Sequence, residues 1–422
     1  MENPGTQKSR DFPLRRRILM QSNYRGQAQA LRAFYIFTGL WSANFTQGLW
    51  ILYLLHCHWS LLQVGIAEAA FHAVSFLSEV PTGMLADRYG RRLSLDLGLL
   101  VGTLSPLATF WLAPRSVLGG TLSIGFSALS WTFIGGADRA LLYNLVENRQ
   151  DQYQKAYGRI AAVSLSTYAL AVTVGGWMVG HIGWSGPFIG SALSSLLAFA
   201  ATFGISTAMP PRTPERRPKL GETLSRTLGI LKGNRRLLIL VGFGALVGSL
   251  VTTNHLYAQA TLMAKGASVF DVALVIAGGD LMSALGSLLG GRRFKVSLER
   301  WISVGTSLLG VLVGMIGVAP LGLSIVGYVA ACGVDGAIDP AYEVMLNQEA
   351  PEDQRATILS MPSAGFSLGM VLMFPMFGWA LANRDMAVAY AAMGASLMGL
   401  AILIKNIRHR DSPVNTTSAV EL

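Results

Sequence analysis

Several carboxylates lie within long apolar runs of this sequence, among them Glu68, Glu79, Asp96, Asp138, Asp280, Asp335, Asp339 and Glu343. A charged side chain at the centre of a bilayer costs at least ~2.5–3.5 kcal/mol on insertion scales, so an ionisable group kept there needs a functional reason or a partner. Asp96, Asp138, Asp339 and Glu343 fall near the ends of their runs, where water or an arginine can reach them. Asp138 with Arg139, and Asp339 with Glu343, are expected to form a charge network at those ends. Glu68, Asp280 and Asp335 sit further in, and the chemistry that suits a poorly solvated carboxylate is reversible proton binding. They are the candidate proton carriers. Glu79 joins them, although its position beside a loop fits a structural latch equally well. For each of these groups, pairing with a helix end or a buried polar neighbour remains the alternative.

A second set of residues could line a cavity. Asn44, Gln47, Trp50 and Tyr53 recur every third residue, one slowly drifting stripe of a helix, and Asn254, His255, Tyr257 and Gln259 cluster in a later apolar run. Lipid penalises exposed amides, so these face the protein interior, where amides and aromatic rings suit a lipophilic, partly polar organic molecule. Interhelical hydrogen bonding is the plainer account of the same residues, and His255 reads equally as a packing residue or a proton carrier. Catalytic motifs are missing: there is no Gly-x-x-x-x-Gly-Lys loop and no His-Glu-x-x-His. Cys57 and Cys332 have no ligand spacing, so neither a metal site nor a disulfide framework is indicated, and no cofactor is expected.

The elements that must carry these residues are transmembrane helices. Over 422 residues the chain is 52% hydrophobic and 13% charged, with a positive mean hydropathy, more apolar material than a soluble core of this size uses. Twelve apolar runs, each long enough to cross a hydrocarbon layer of ~30 Å, are read at 33–55, 62–86, 93–113, 117–142, 160–182, 186–208, 237–261, 269–291, 301–319, 321–345, 356–381 and 385–404. The 47 glycines and 16 methionines fit close helix approach in lipid.

Charge placement gives the expected orientation. Only Arg115, Lys265 and Arg384 fall on one side of the twelve spans. The other side collects the basic amino-terminal segment, Arg88, Arg91, Arg92, Arg149, Lys155, Arg159, the central linker, Arg292, Arg293, Lys295, Lys405, Arg408 and Arg410. Cytoplasmic loops accumulate Lys and Arg, so both termini are expected in the cytoplasm. The net charge of +10 is spread over these loops instead of gathering on a nucleic-acid-binding motif. The first 30 residues contain no apolar stretch of the kind a signal peptide needs. Asn-x-Thr triplets at Asn44 and Asn415 fall in a span and in a cytosolic tail, which argues against glycosylation.

An internal repeat divides the chain. Residues 135–145, GGADRALLYNL, align with 336–346, GAIDPAYEVML, which matches Asp138 to Asp339, and residues 83–92 align with 286–295 at nearly the same offset. The expected organisation is a tail (1–32), a six-helix bundle (33–208), a Pro- and Arg-rich linker (209–236), a second six-helix bundle (237–404) and a tail (405–422). Such repeats place a binding site between the halves near the midplane.

The run Gly83-Met-Leu-Ala-Asp87-Arg88-Tyr-Gly90-Arg91-Arg92, between the second and third spans, resembles the signature of the major facilitator superfamily. The resemblance implies an all-α membrane fold of two pseudo-repeat bundles. It also implies that Gly83, Asp87, Arg88, Gly90, Arg91 and Arg92 form a cytoplasmic latch holding the outward-open state. Upstream, Glu79-Val-Pro81-Thr82-Gly83 resembles a bacterial branch whose members are mostly assigned as drug or metabolite exporters. Two family motifs depart from pattern. Ser123 to Phe133 carry no basic residue, and the helix 5 antiporter glycines are met only at Gly158, Gly175 and Gly176, with Thr167, Ala171 and Val172 at the other positions. The expectation is a monomeric secondary transporter in the cell inner membrane, exporting a small organic substrate against protons. Nutrient import and a non-transporting membrane sensor are the alternatives. An enzyme and a nucleic-acid partner are excluded.

Overall fold

A computed structural model describes residues 29–146, 150–205, 229, 233–290, 296–351 and 355–406. Most of the expected tails and linker, and Arg149, Arg292, Arg293, Lys295, Arg408 and Arg410, lie outside the described residues.

Every regular element among the described residues is helical: α1 (29–42), α2 (Trp50–His56), α3 (Leu61–Tyr89), α4 (Arg91–Leu112), α5 (Val117–Ile134), α6 (Ala137–Leu145) and α7 (Gln150–Ile182). Then follow α8 (Ser185–Thr202), α9 (Arg235–Ala264), α10 (Val269–Gly290), α11 (Leu298–Val318), α12 (Leu321–Glu349), α13 (Arg355–Asn383) and α14 (Met386–Lys405). Eleven spans among the described residues are long and apolar enough to cross a bilayer, with α5 and α6 joined as one of them. The twelfth crossing is α1 with α2.

Local sequence fixes where the spans begin. Ser60 and Gln63 form a reciprocal capping box at the start of α3, and Ser116, Asn234, Ser297 and Asp385 each accept a backbone N–H at the first turn of α5, α9, α11 and α14. At Gly90, with φ of 98°, the chain turns directly from α3 into α4.

Two expected spans are not continuous helices. The first unwinds over residues 43–49, so α1 and α2 are separate pieces. The fourth breaks at Gly135 and Gly136, where Gly136 takes φ of 83°, a left-handed conformation that a residue with a Cβ enters at a cost. Their counterparts in the second half, α9 and α12, run without interruption, although Pro340 lies inside α12.

The helices pack as two bundles joined along seams. In the first, α4 packs on α5 and α8, and α3 on α5; in the second, α11 packs on α12 and α14, and α10 on α12. Across the seams α3 packs on α13 and α7 on α10. The tightest packing joins α10 to α12. A Cβ added at Gly286 would strike the backbone carbonyl of Gly333, and one at Gly336 the carbonyl of Ser283, so the two backbones touch directly.

Two charged clusters sit at opposite ends of the second bundle. Arg236, at the start of α9, reaches Glu299 of α11 at 2.9 Å and Glu349 of α12 at 2.8 Å, with the arginine side chain 11% exposed. At the other end, the Lys265 ammonium donates to the carbonyls of Ile316 (2.7 Å), Gly317 (3.2 Å) and Ala319, and to Ser324 Oγ (3.0 Å), satisfying the carboxy-terminal carbonyls of α11.

The halves close on each other at one end. The Tyr257 hydroxyl on α9 lies 2.9 Å from the Leu61 carbonyl on α3 and 3.1 Å from the Phe374 carbonyl on α13. On the same side, Gly176 of α7 faces Ala273 of α10, and Gly48 faces both Val172 and Ile276. At the opposite end, where α3 turns into α4, a Cβ added at Gly83, Gly90 or Gly158 would meet nothing within 4 Å.

Candidate functional site: carboxylates in a cavity between the halves

Asp280 lies near the middle of α10 and Asp335 near the middle of α12. The close α10–α12 packing brings the two faces together, and both residues line a cavity of about 390 Å³ whose far wall is Leu165 and Tyr168 of α7. Asp339 and Ser287 also line it, so the space lies across the seam between the two bundles. A second cavity of about 230 Å³ continues inside the second bundle, with Asn254, His255, Leu309 and Cys332 in its walls. Asp280, Ser283 and Asp335 border both cavities. Among the described residues, no Lys or Arg lines either one.

The polar groups here are unevenly satisfied. Tyr328 Oη and His255 Nδ1 are 2.7 Å apart, a hydrogen bond whose donor depends on the imidazole tautomer. One oxygen of Asp280 and the amide oxygen of Asn254 are buried with no hydrogen-bond partner among the described residues. A buried acceptor without a donor is costly, and the usual remedy is a ligand, a proton or water. Gln259 is fully buried with both amide atoms in the same condition. Tyr257, grouped with these residues by sequence, holds the seam with its hydroxyl and does not line either cavity.

The expected stripe on the first span is not realised, because the helix breaks within it. Asn44 is at the break, and its Oδ1 accepts from Thr46 N (3.1 Å), Thr46 Oγ1 (2.8 Å) and Ser191 Oγ (3.2 Å), while its Nδ2 donates to Gln47 Oε1 (3.3 Å). The side chain thus substitutes for helical bonds that the backbone gives up, the established role of Asn in turns. Trp50 and Tyr53 follow on α2. Tyr53 is 2% exposed, donates to the Phe110 carbonyl at 2.6 Å and packs on Phe110, Trp184 and Phe188, so it belongs to the first bundle's core and not to a cavity. Asn44→Leu is expected to lower stability by about 1–3 kcal/mol by removing the acceptor of the Thr46 and Ser191 hydroxyls. The midpoint of thermal unfolding in detergent measures this, and an unchanged midpoint would contradict the assignment.

The remaining sequence candidates are distributed elsewhere. Glu68 on α3 is 9% exposed and lies 3.3 Å from His72 one turn on, and the His72 ring meets Phe366 of α13 edge-on, so this pair sits in the seam. Glu79 is exposed. In the loop motif, Asp87, Arg88 and Gly90 are exposed, Arg88 stacks over Tyr89, Arg91 donates to the Ala140 carbonyl at 3.1 Å, and Arg92 pairs with Asp96 at 3.6 Å. These contacts stay within the first bundle. The expected network of Asp138, Arg139, Asp339 and Glu343 is not assembled: no ion pair joins them among the described residues, Asp138 accepts from the backbone N–H of Arg139, and Asp339 lines the larger cavity. Asp138 follows the helix break at Gly135–Gly136, whereas Asp339 lies within the continuous α12. The ionic cluster of that end is Arg236 with Glu299 and Glu349.

Tyr168, Ser283 and His72 carry no expectation from the sequence, and Cys332, expected to have no ligand role, lines the inner cavity. The Glu-x-x-x-His spacing of Glu68 and His72 was a usable signal for His72. Nothing in the local sequence marks the other three.

The sequence profile of the Major Facilitator Superfamily matches residues 31–332. The chain belongs to the Major Facilitator Superfamily. Within this superfamily, the uncharacterized MFS-type transporter YxaM of Bacillus subtilis (strain 168) is 22% identical over 368 residues, covering 84% of this chain and 88% of that one. A mutant of the nucleoside transporter NupG has the same fold with a TM-score of 0.74 at 14% identity, covering 90% of this chain and 98% of the other. A bacterial homologue of the human lysosomal transporter Spinster, in an inward-facing and unoccupied conformation, aligns with a TM-score of 0.67 at 15% identity, covering 90% and 95%. This superfamily member is a secondary transporter embedded in a membrane, with a small-molecule substrate, and not an enzyme.

Proposed function

We propose that this transporter couples export of a small, largely apolar organic compound to proton movement, by alternating access about the cavity between α7, α10 and α12. The observation that carries the reading is the position of Asp280 and Asp335. Two carboxylates at mid-helix share a cavity with no Lys or Arg in its walls among the described residues, and reversible protonation is what would let such groups cross between solvent-facing and occluded states. The asymmetric distribution of Lys and Arg supports an inner-membrane protein with both termini cytoplasmic. In that orientation the end held by Tyr257 is external and the cavity faces the cytoplasm. The Glu79-Val-Pro81-Thr82-Gly83 resemblance supports export, and the protein is taken to work as a monomer. Uptake of a metabolite is the second reading, supported by the nucleoside named for one fold neighbour.

The test is transport in proteoliposomes of a panel of neutral and cationic aromatic compounds, with and without an imposed pH gradient. The gradient-driven component is expected in the wild type and is expected to fall to the gradient-free level in Asp280→Asn and Asp335→Asn. Gradient dependence that survived alike in Glu68→Gln, Asp280→Asn and Asp335→Asn would overturn proton coupling through these groups. Transport running only down the pH gradient with the proton would replace export by uptake.

A further inference from the structure

The two cavities are unusual in what they lack. Ionised carboxylates only accept hydrogen bonds, and the walls place Asp280, Asp335 and the Asn254 amide around one shared space. Asn254 is 3% exposed, its Oδ1 has no partner among the described residues, and one Asp280 oxygen is in the same condition. Two acceptors of this space are therefore left without donors, and no arginine or lysine offsets the carboxylates among the described residues. An anion would meet two carboxylates with nothing to hold it. A neutral ligand with acceptors alone would leave the orphan oxygens as they are. A ligand that donates in several directions and carries positive charge satisfies all of them at once.

We infer that this pocket binds an organic ammonium group, seated between Asp280 and Asp335 and donating to the Asn254 amide oxygen. A metal ion fits less well, since no group of three or more His, Cys, Asp or Glu among the described residues is placed to hold one. The inner cavity, about 230 Å³, is smaller than the ~300–1,000 Å³ usual for a drug-sized ligand, so it takes the amine and a short chain. The rest of the molecule extends into the 390 Å³ space, which Leu165 and Tyr168 of α7 line on its far side. The substrate class is thus an amphiphilic amine. The inference rests on the reading of this cavity as the transport site, and it narrows that reading.

Cys332 lines the inner cavity, and the chain has only two cysteines, so replacing Cys57 with alanine leaves one native reporter. The experiment measures the rate of Cys332 modification by N-ethylmaleimide in the purified full-length Cys57→Ala protein. The probes are 2-phenylethylamine, its neutral isostere 2-phenylethanol, the anion phenylacetate, and Na+ in exchange for K+. At ten times its dissociation constant the amine should slow labelling about tenfold, whereas the other three leave the rate unchanged. Asp335→Asn in the same background should remove the protection, read as the ratio of that variant's own labelling rates with and without the amine because the lost charge lies in the same cavity as Cys332. An unfolding temperature close to that of the Cys57→Ala protein shows the fold intact. If Cys332 labels too slowly to follow, the same probes are read by the shift in unfolding temperature, where only the amine should raise it. Equal protection by the alcohol, protection by Na+, or no effect of any probe on either readout would each overturn the inference. Failure of proton coupling would look different: the amine would still protect, but transport would ignore the pH gradient.

Discussion

Gly336→Val is expected to prevent accumulation of folded protein, or to leave a protein that unfolds far below the wild type. At this position the α12 backbone lies against the Ser283 carbonyl of α10, so the added side chain has no space to enter. The neighbour is main chain inside a long helix and cannot rotate aside as a flexible side chain would. Overpacking of a well-packed core typically costs 1–3 kcal/mol when neighbours can yield, and here relief requires two whole helices to separate. Separation would also pull Asp280 from Asp335, because both stand on this helix pair within about two turns of the contact. Size-exclusion behaviour and thermal unfolding in detergent measure the outcome. A monodisperse Gly336→Val protein with a wild-type midpoint would show that the α10–α12 contact is looser than described.

Arg236→Met should be nearly as damaging, for electrostatic reasons. The guanidinium is shared by Glu299 and Glu349, whose side chains are 17% and 23% exposed. Removing one partner from a buried ionic cluster usually costs about 3–5 kcal/mol, and here the Glu349 carboxylate would lose the guanidinium it meets at 2.8 Å while staying mostly out of water. Two carboxylates would then face each other at the ends of α11 and α12. The triple variant Arg236→Met/Glu299→Gln/Glu349→Gln removes the uncompensated charge and is expected to recover most of the lost stability. A triple variant no more stable than the single one would mean that the arginine acts through packing alone.

The sequence readily discloses the helical membrane fold because lipid imposes a coarse rule: every backbone polar group must be bonded within the segment, and each crossing needs an apolar run of fixed length. Asp280 and Asp335 were legible for a related reason, since a carboxylate in such a run stands out against the cost of placing it there. The breaks in the first and fourth spans obey finer rules. Gly135-Gly136 is a visible weak point. The unwinding at residues 43–49 is harder to read, because it contains no proline and depends on Asn44 finding Ser191 of α8, a partner remote in sequence. Helical spacing therefore put Asn44, Gln47, Trp50 and Tyr53 on one face that does not exist. Tyr53 shows the same limit: an aromatic residue suits a cavity or a core equally, and only the positions of Phe110, Trp184 and Phe188 decide between them. Asp138 and Asp339, which match in the sequence repeat, stand on different local frames, because the break at Gly135–Gly136 interrupts the first copy and α12 runs through the second.

That inequality between the copies extends to mechanics. Both interruptions lie in the first bundle, in the spans whose repeat-mates α9 and α12 are unbroken rods. Bending a continuous helix means breaking backbone hydrogen bonds, whereas a segment that has already exchanged them for side-chain and turn contacts deforms at lower cost. A molecule that rocks to admit cargo first from one face and then from the other will therefore flex unevenly. The amino-terminal bundle is expected to be the articulated jaw, and the carboxy-terminal bundle, which carries Asp280 and Asp335, the anvil it closes on.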